Sequence, residues 1–419
     1  MDRLLVEGGI PLKGNVKISG AKNAALPLMA ASLLANSPVS LHNVPNLMDV
    51  DTMMLVLHMV GADVVRKGDT LIIDPANFDN PEAPYDLVRK MRASIYVLGP
   101  MVARLKQARV SMPGGCVIGR RPIDLHLKGL EALGANVDVS HGYIVVKNPG
   151  LKGAEFSLEG PFGSSVGATC NTIMAAVKAE GHTIIHGVAK EPEVRDLVDF
   201  LNEMGAQIEA HDSTVSIEGV SELKGVEHAI IPDRIEAGTY MAAAAITKGN
   251  VVLKGCHLPH MESVVSKLKE VGVDVEPVVG GARCYCNNGK LAPTNIRTLP
   301  YPGFPTDLQA QFTAFLSLIP GNSTVTESIY PERFMHIAEL ARMGAEISLF
   351  SSTATVCGVK NLMAAPVMAT DLRASAALIL AALAAEGTTE ILRVYHIDRG
   401  YEHIEKKLAG IGARISREE

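Results

Sequence analysis

The chain has 419 residues, enough for two or three domains, and is 47% hydrophobic and 20% charged, so it can bury a large core. With 39 basic against 45 acidic residues the net charge is −6, which argues against a nucleic-acid partner and requires any anionic ligand to be held by a local basic cluster. Aromatics make up 4% and Trp is absent, so Ala, Val, Ile and Leu must carry the packing. The opening MDRLLVEGGIPLKG lacks the long apolar core of a signal peptide. The longest apolar stretch, residues 374–385, is too short to span a bilayer and reads as a buried helix. Cys116, Cys170, Cys256, Cys284, Cys286 and Cys357 are spread thinly, which fits reduced thiols in the cytoplasm better than a disulfide framework.

Taken in chain order, one pattern recurs six times: apolar residues at helical spacing run into a hydrophobic-Gly-small triplet, followed by a short alternating stretch. The instances are MMLVLHMVGADVV, LKGLEALGANVDV, LVDFLNEMGAQIE, VVSKLKEVGVDVE, HIAELARMGAEIS and IEKKLAGIGARIS. Their glycines, 61, 134, 205, 272, 344 and 412, are 73, 71, 67, 72 and 68 residues apart, near-equal intervals that fill the chain. An Ala-rich helix precedes each: AALPLMAASLLA, MRASIYVLGPMVAR, SVGATCNTIMAAVKAE, IEAGTYMAAAAITK, DLQAQFTAFLSLI and DLRASAALILAALAAE. Gly181, Gly249 and Gly387 follow three of them, where a left-handed C-cap is favoured, and strand-like runs such as HTIIHGV, NVVLKGC and TTEILRV come next. The unit is helix, strand, helix, strand, and six of them make an α/β architecture. The Ala-rich helices are expected inside and the Lys- and Glu-bearing second helices against water.

Polar residues cluster at the starts of the expected buried helices: Lys22 and Asn23, Arg92, Ser165 and Thr169, Asp233 and Arg234, Asp307 and Gln309, Asp371 and Arg373. A helix start offers unpaired N–H groups and partial positive charge, so it suits an anion. Ordinary capping is the plainer reading of any one position. Six in register suggest helix starts converging on one cleft between two three-unit halves.

Several segments resemble the UDP-N-acetylglucosamine enolpyruvyl transferases of peptidoglycan synthesis: SGAKNAALPLMAASLLA, PGGCVIGRRPIDLH, SVGAT, PDRIEAGTYMAAAA, FPTDLQAQF, RFMHIAELARMGA, ATDLRASAALILA and YHIDRGYEHIEKKL. The resemblance runs from one end of the chain to the other and keeps the order of the segments. It implies an inside-out α/β barrel fold, with residues 22–229 as one three-unit domain, residues 1–21 and 230–419 as the other, and the active site in the cleft between them. It implies transfer of the enolpyruvyl group of phosphoenolpyruvate to the 3-hydroxyl of UDP-N-acetylglucosamine, without a cofactor. The related 5-enolpyruvylshikimate-3-phosphate synthases share the six-unit fold but are not expected to carry the PGGC loop. Transfer to another acceptor such as shikimate 3-phosphate, or a non-catalytic paralogue, are the alternatives.

By the resemblance, Cys116 in Pro-Gly-Gly-Cys is the proton donor and the residue alkylated by fosfomycin, and the neighbouring Arg120 and Arg121 favour its thiolate. Lys22 and Asn23 match positions that contact phosphoenolpyruvate, with Arg121 and Arg399 as further cations around its phosphate and carboxylate. Arg92 matches a ligand contact. Asp307 matches the carboxylate facing the sugar hydroxyl, as general base or as an orienting acceptor. The nucleotide sugar is expected at Arg121, Pro122, Ile123, Asp124 and Leu125, at Ser164, Ser165, Val166 and Gly167, and at Ile329.

At Gly163 some relatives carry a Lys, so backbone N–H groups are expected to replace its contact with the diphosphate. Tyr96 stands where Trp occurs in some relatives and still offers a flat apolar surface. Cys256, His257, His260, Cys284 and Cys286 match no standard zinc spacing, and neither a Walker loop nor a Rossmann fingerprint is present.

Overall fold

The computed structural model describes residues 2–89, 91–112, 123–161, 163–286 and 290–418. These form six four-stranded sheets with one shared strand order. In a representative sheet, Glu155–Ser157 runs parallel to His182–His186, which pairs antiparallel with Thr214–Glu218, which in turn pairs with Gln207–His211. The hairpin strands alternate buried and less buried residues, so each sheet has one dry face. Two-residue hairpin turns are common, with Gly68, His141, Asp212, Gly280 and Ser351 at positive φ, the geometry that matches the strand twist.

The six Ala-rich segments form the helices α1 (Lys22–Ala31), α2 (Leu98–Leu105), α3 (Val166–Ala176), α4 (Arg234–Ile246), α5 (Gln309–Leu316) and α6 (Leu372–Ala384). Apart from the half-exposed last turn of α2 they are buried nearly all round: α4 buries 12 of its 13 residues. A helix without a polar face must be enclosed. The sheets enclose these helices, so helices lie inside and sheets outside. Small Ala side chains let α4, α5 and α6 pack mutually at short range. The segment expected as one helix from Met91 opens as a 3-10 turn, Arg92–Val97, and α2 begins only at Leu98. Pro100 lacks an N–H, a loss that costs least in a first helical turn, and it lies at the third residue of α2.

All six triplet glycines have φ between 88° and 106°, ending each outer helix in the left-handed conformation that glycine adopts without penalty. After α4 the expectation fails. Lys248 takes the positive φ instead of Gly249, and Gly249 is required for a close approach, since a Cβ there would lie 2.3 Å from the Leu12 carbonyl oxygen.

The chain divides into two compact units, one within residues 20–231 and the other formed by the segment up to Ser19 with the chain from Pro232 onward. Each has its own apolar core. In the first, the chain closes on itself: Glu227–Ala229 pairs in parallel with Val39–His42. In the second, the sixth repeat ends one hairpin strand short, and the N-terminal strand Arg3–Glu7 fills the gap, antiparallel to Thr388–Leu392 and Arg414–Glu418. Lys13–Lys17 then adds in parallel to Asn250–Lys254.

The outer helices are amphipathic, as in Glu262–Val271, which buries only Val264, Leu268 and Val271. Pro192–Glu203 departs from the expected water-facing role. It buries eight of its 12 residues, Asp196 among them, and packs on α1. The buried Asp196 carboxylate is matched by His228 Nε2 at 3.1 Å, while His228 Nδ1 meets Glu203 at 2.8 Å. Burial alone would lower the His228 pKa, but the two carboxylates outweigh it and hold the ring up at about 8. A raised folded-state pKa stabilises below the unfolded value and loses that contribution as pH rises through the folded one. His228→Gln is therefore expected to cost about 1–2 kcal/mol below pH ~6.5. That difference should shrink as pH passes about 8, as read from urea unfolding midpoints.

Candidate active site

In the unit within residues 20–231, α1 starts at Lys22 with no side-chain cap. The Lys22 ammonium instead donates to Asp49 Oδ2 at 3.0 Å, with both side chains largely buried. Asp49 lies in the first turn of the helix Met48–Met59, a place where a carboxylate is favoured by the helix dipole alone. Nothing local distinguishes it from an ordinary first-turn acid, and sequence reasoning missed it. Asn23 follows Lys22, half-buried.

Three further expected segments meet in this unit. Arg92 opens its 3-10 turn, Ile123 precedes the helix Asp124–Ala132, and Ser164 and Ser165 lead into α3 at Val166 and Gly167. His126 and Asn171 join them. The Asn171 side-chain oxygen accepts from the Gly99 N–H at 2.8 Å, which orients its amide nitrogen toward the Ile95 carbonyl at 3.0 Å and His126 Nδ1 at 2.9 Å. Burial, with help from the Arg92 charge, pulls the His126 pKa down to about 3, so the ring is neutral. Gly167 rests on that ring: a Cβ would stand 3.1 Å from His126 Cε1 and Nε2.

Ser165 is the N-cap of α3, accepting from the Ala168 N–H at 3.3 Å, so the capping role holds at this position. Asp233 and Asp371 likewise cap α4 and α6. Of the backbone N–H groups expected to replace the missing Lys, that of Gly163 itself is already engaged. The Gly163 N–H donates to the Gly160 carbonyl and the Gly160 N–H to the Gly163 carbonyl, both at 3.0 Å, so this amide is spent in a turn. Gly163 also sits at φ 88°, where a Lys would be strained. Leu125 lies under that turn, close to Gly160. Cys116, Arg120, Arg121 and Pro122 lie outside the described residues.

In the other unit, Asp307 is no cap. It lies in the 3-10 turn Thr306–Leu308 ahead of α5, and its carboxylate is gripped on both sides. Arg333 Nη1 donates to Oδ1 and Arg373 Nη2 to Oδ2, each at 2.8 Å. Both guanidiniums are buried, whereas the Asp307 side chain keeps 27% exposure. Burial pushes the carboxyl pKa up, but Arg373 and Arg333 override it and hold Asp307 well below the usual carboxylate range. Arg373 Nη1 also donates to the Tyr401 hydroxyl at 3.1 Å, which Gln311 and Thr239 approach as well. Gln311 ties back to the Asp307 carbonyl at 2.9 Å. Arg333 and Tyr401 were not anticipated.

Ile329 follows the strand Asn322–Thr326, its N–H donating to Glu327 at 2.8 Å. Arg399 ends the 3-10 turn Val394–Arg399, where its charge helps burial to lower the His396 pKa. The neighbouring Asp398 is held by both terminal nitrogens of Arg417.

Among the described residues no group of three or more His, Cys, Asp or Glu side chains could hold a metal ion. Cys284 and Cys286 share one face of the strand Gly281–Cys286 and direct their thiols at carbonyls of Met241 and Ala245 on α4. Among the described residues no helix is long and apolar enough to cross a membrane.

The first unit thus supplies a buried cation at a helix start paired with a carboxylate, and the second a carboxylate fixed between two buried guanidiniums. A family model described as EPSP synthase (3-phosphoshikimate 1-carboxyvinyltransferase) matches residues 6–408. The chain is 53% identical over 420 residues to a UDP-N-acetylglucosamine 1-carboxyvinyltransferase of Desulfatibacillum aliphaticivorans, covering all of both chains. It is 52% identical over 423 residues to one from Anaeromyxobacter dehalogenans, covering 99% of that protein. Among solved structures, the enolpyruvyl transferase NikO from Streptomyces tendae is similar with a TM-score of 0.90 and 25% identity, over 99% of this chain and 98% of that one. An EPSP synthase from Acinetobacter baumannii shares the fold, with a TM-score of 0.77 at 17% identity over the full length of both.

The double grip on Asp307 makes a stability prediction. A depressed carboxylate pKa stabilises above the unfolded value and loses that contribution as pH falls through the folded one. Asp307→Asn should cost roughly 2–4 kcal/mol, leaving two buried guanidiniums short of a counter-charge. The loss should be constant from neutral pH down to about 4 and shrink only below that, as followed by urea unfolding across pH.

Proposed function

The chain belongs to the EPSP synthase family, and from that membership we propose that it transfers the enolpyruvyl group of phosphoenolpyruvate to the 3-hydroxyl of UDP-N-acetylglucosamine, releasing phosphate. The observation that carries the acceptor is full-length identity above 50% to transferases named for that nucleotide sugar, against 17% to an EPSP synthase. In this reaction the sugar oxygen adds to C2 of phosphoenolpyruvate while a proton reaches C3. Phosphate then leaves C2 as C3 gives a proton back, restoring the double bond.

On this reading Lys22, steadied by Asp49, and Arg399 neutralise the phosphate and carboxylate of phosphoenolpyruvate, with Asn23 and Arg121 beside them. Cys116 delivers the proton to C3. Arg92, Arg121 to Leu125 and Ser164 to Gly167 hold the nucleotide sugar, with Ile329 against it. Because His126 is neutral, the diphosphate is met by arginine and by backbone amides at the start of α3 rather than by an imidazolium. Asp307 accepts a hydrogen bond from the 3-hydroxyl. Held far below the usual carboxylate range, it is a weak base, which supports orientation as its main task.

The reaction would place the protein in the cytoplasm at the entry to peptidoglycan precursor synthesis, and so upstream of cell-wall growth, cell shape and division. Phosphate release from phosphoenolpyruvate should depend on UDP-N-acetylglucosamine; release with shikimate 3-phosphate alone would keep the fold and overturn the acceptor. Cys116→Ser should abolish covalent labelling by fosfomycin, detected as a mass increase on the intact protein, and unchanged labelling would remove Cys116 from its assigned role.

A further inference from the structure

We infer that Glu327 is a positioning residue for the acceptor half of the site, its carboxylate setting the register between the Ile329 turn and the Thr306-Asp307 segment. The inference rests on the functional reading above. Glu327 is completely buried just past the strand Asn322–Thr326. Its Oε1 accepts from the Thr298 hydroxyl at 2.6 Å, the Ile329 N–H at 2.8 Å and the Tyr330 N–H at 2.9 Å. Its Oε2 accepts from the Thr306 hydroxyl at 2.8 Å.

The direction of these bonds follows from their neighbours. Thr298 Oγ1 receives the Ser328 N–H at 2.8 Å, and Thr306 Oγ1 receives Arg333 Nη1 at 2.9 Å. Each threonine therefore has a donor aimed at its lone pairs and turns its own proton to Glu327. Four donors converge on one carboxylate, and they come from three separate stretches of chain. Through Thr306 the same carboxylate reaches Arg333, whose Nη1 also grips Asp307. Glu327 is thus joined to both the turn assigned to the nucleotide sugar and the carboxylate assigned to its hydroxyl. None of the groups it touches is assigned to phosphoenolpyruvate.

A glutamine at 327 can keep the two backbone amides on its oxygen, but it presents an N–H₂ to Thr306. Thr306 would then face two donors, and its own proton would lose its acceptor. The test is steady-state phosphate release with both substrates varied, for wild type, E327Q, T306V, T306S and the double variant E327Q/T306V. E327Q should raise the KM for UDP-N-acetylglucosamine about 10-fold, the worth of one buried hydrogen bond, and T306V, which also removes the acceptor of Arg333 Nη1, at least as much, with the KM for phosphoenolpyruvate within about twofold in both. T306S, which keeps the hydroxyl, should behave as wild type. The double variant should be no worse than T306V, because the bond that E327Q disturbs is already absent in T306V.

A KM for the nucleotide sugar unmoved in E327Q, equal rises for both substrates, or additive losses in the double variant would overturn the inference. Should E327Q fail to fold, T306V against T306S, which leave the other three bonds of Glu327 in place, decides the same question. Wild type that releases no phosphate with the nucleotide sugar overturns the functional reading, and this inference with it; an active wild type with unshifted variants overturns only the latter.

Discussion

A helix that is apolar on every side cannot face water, and this chain has several. α4 and α6 bury all but one or two residues each, so they need cover on all flanks. One repeat supplies a single half-dry sheet, which covers one flank. In the second unit three repeats supply three sheets around the mutually packed α4, α5 and α6. The repeat number per unit, the need to close the ring of sheets and the borrowed strands all follow from this requirement. Arg3–Glu7 fills the place of the missing hairpin strand of the last repeat, with Leu4 and Val6 fully buried. In the other unit Glu227–Ala229 closes the sheet of the first repeat.

The same enclosure makes charge expensive, and the charged groups inside the units answer to it. Removing a carboxylate or ammonium from water costs several kcal/mol unless a partner and hydrogen bonds stand ready. Lys22 finds Asp49, Asp196 finds His228, and Asp307 lies between Arg333 and Arg373. Because each pair links different elements, it also fixes where the helix starts sit within a unit. The buried polar groups at these starts are thus structural constraints and ligand-binding candidates at once.

This explains what could and could not be read in the chain itself. The triplet glycines were legible because their role is local: each ends a helix at positive φ, and the residue type records it. The Ala-rich helices were legible through their periodicity and lack of a polar face. Asp49, Arg333 and Tyr401 were not, because their importance lies in partners 27, 26 and 28 residues away on other elements. A lone Asp in a first helical turn or a lone Arg in a loop carries no local mark of such a bond. Gly163 is a related case. Which backbone N–H groups could stand in for a missing side chain was not legible, since its own amide closes a turn with Gly160, a contact that no pattern of residue types announces.

The grip on Asp307 bears on how the proposed addition can lose its proton. A base strong enough to ionise a sugar hydroxyl in advance would need a pKa far above that of any carboxylate, and Asp307 lies well below even the usual range. The hydroxyl need not be ionised in advance. As its oxygen bonds to C2 it gains positive character, and its proton becomes more acidic than a carboxylic acid. A carboxylate with a depressed pKa can accept a proton at that late stage, and before it can only orient. Two guanidiniums make Asp307 a poor early base and a rigid acceptor, and rigidity is what a reaction between two bound substrates gains most from. In the proposed reaction, the features that weaken the residue as a base are therefore those that would suit it to hold the hydroxyl in line with C2.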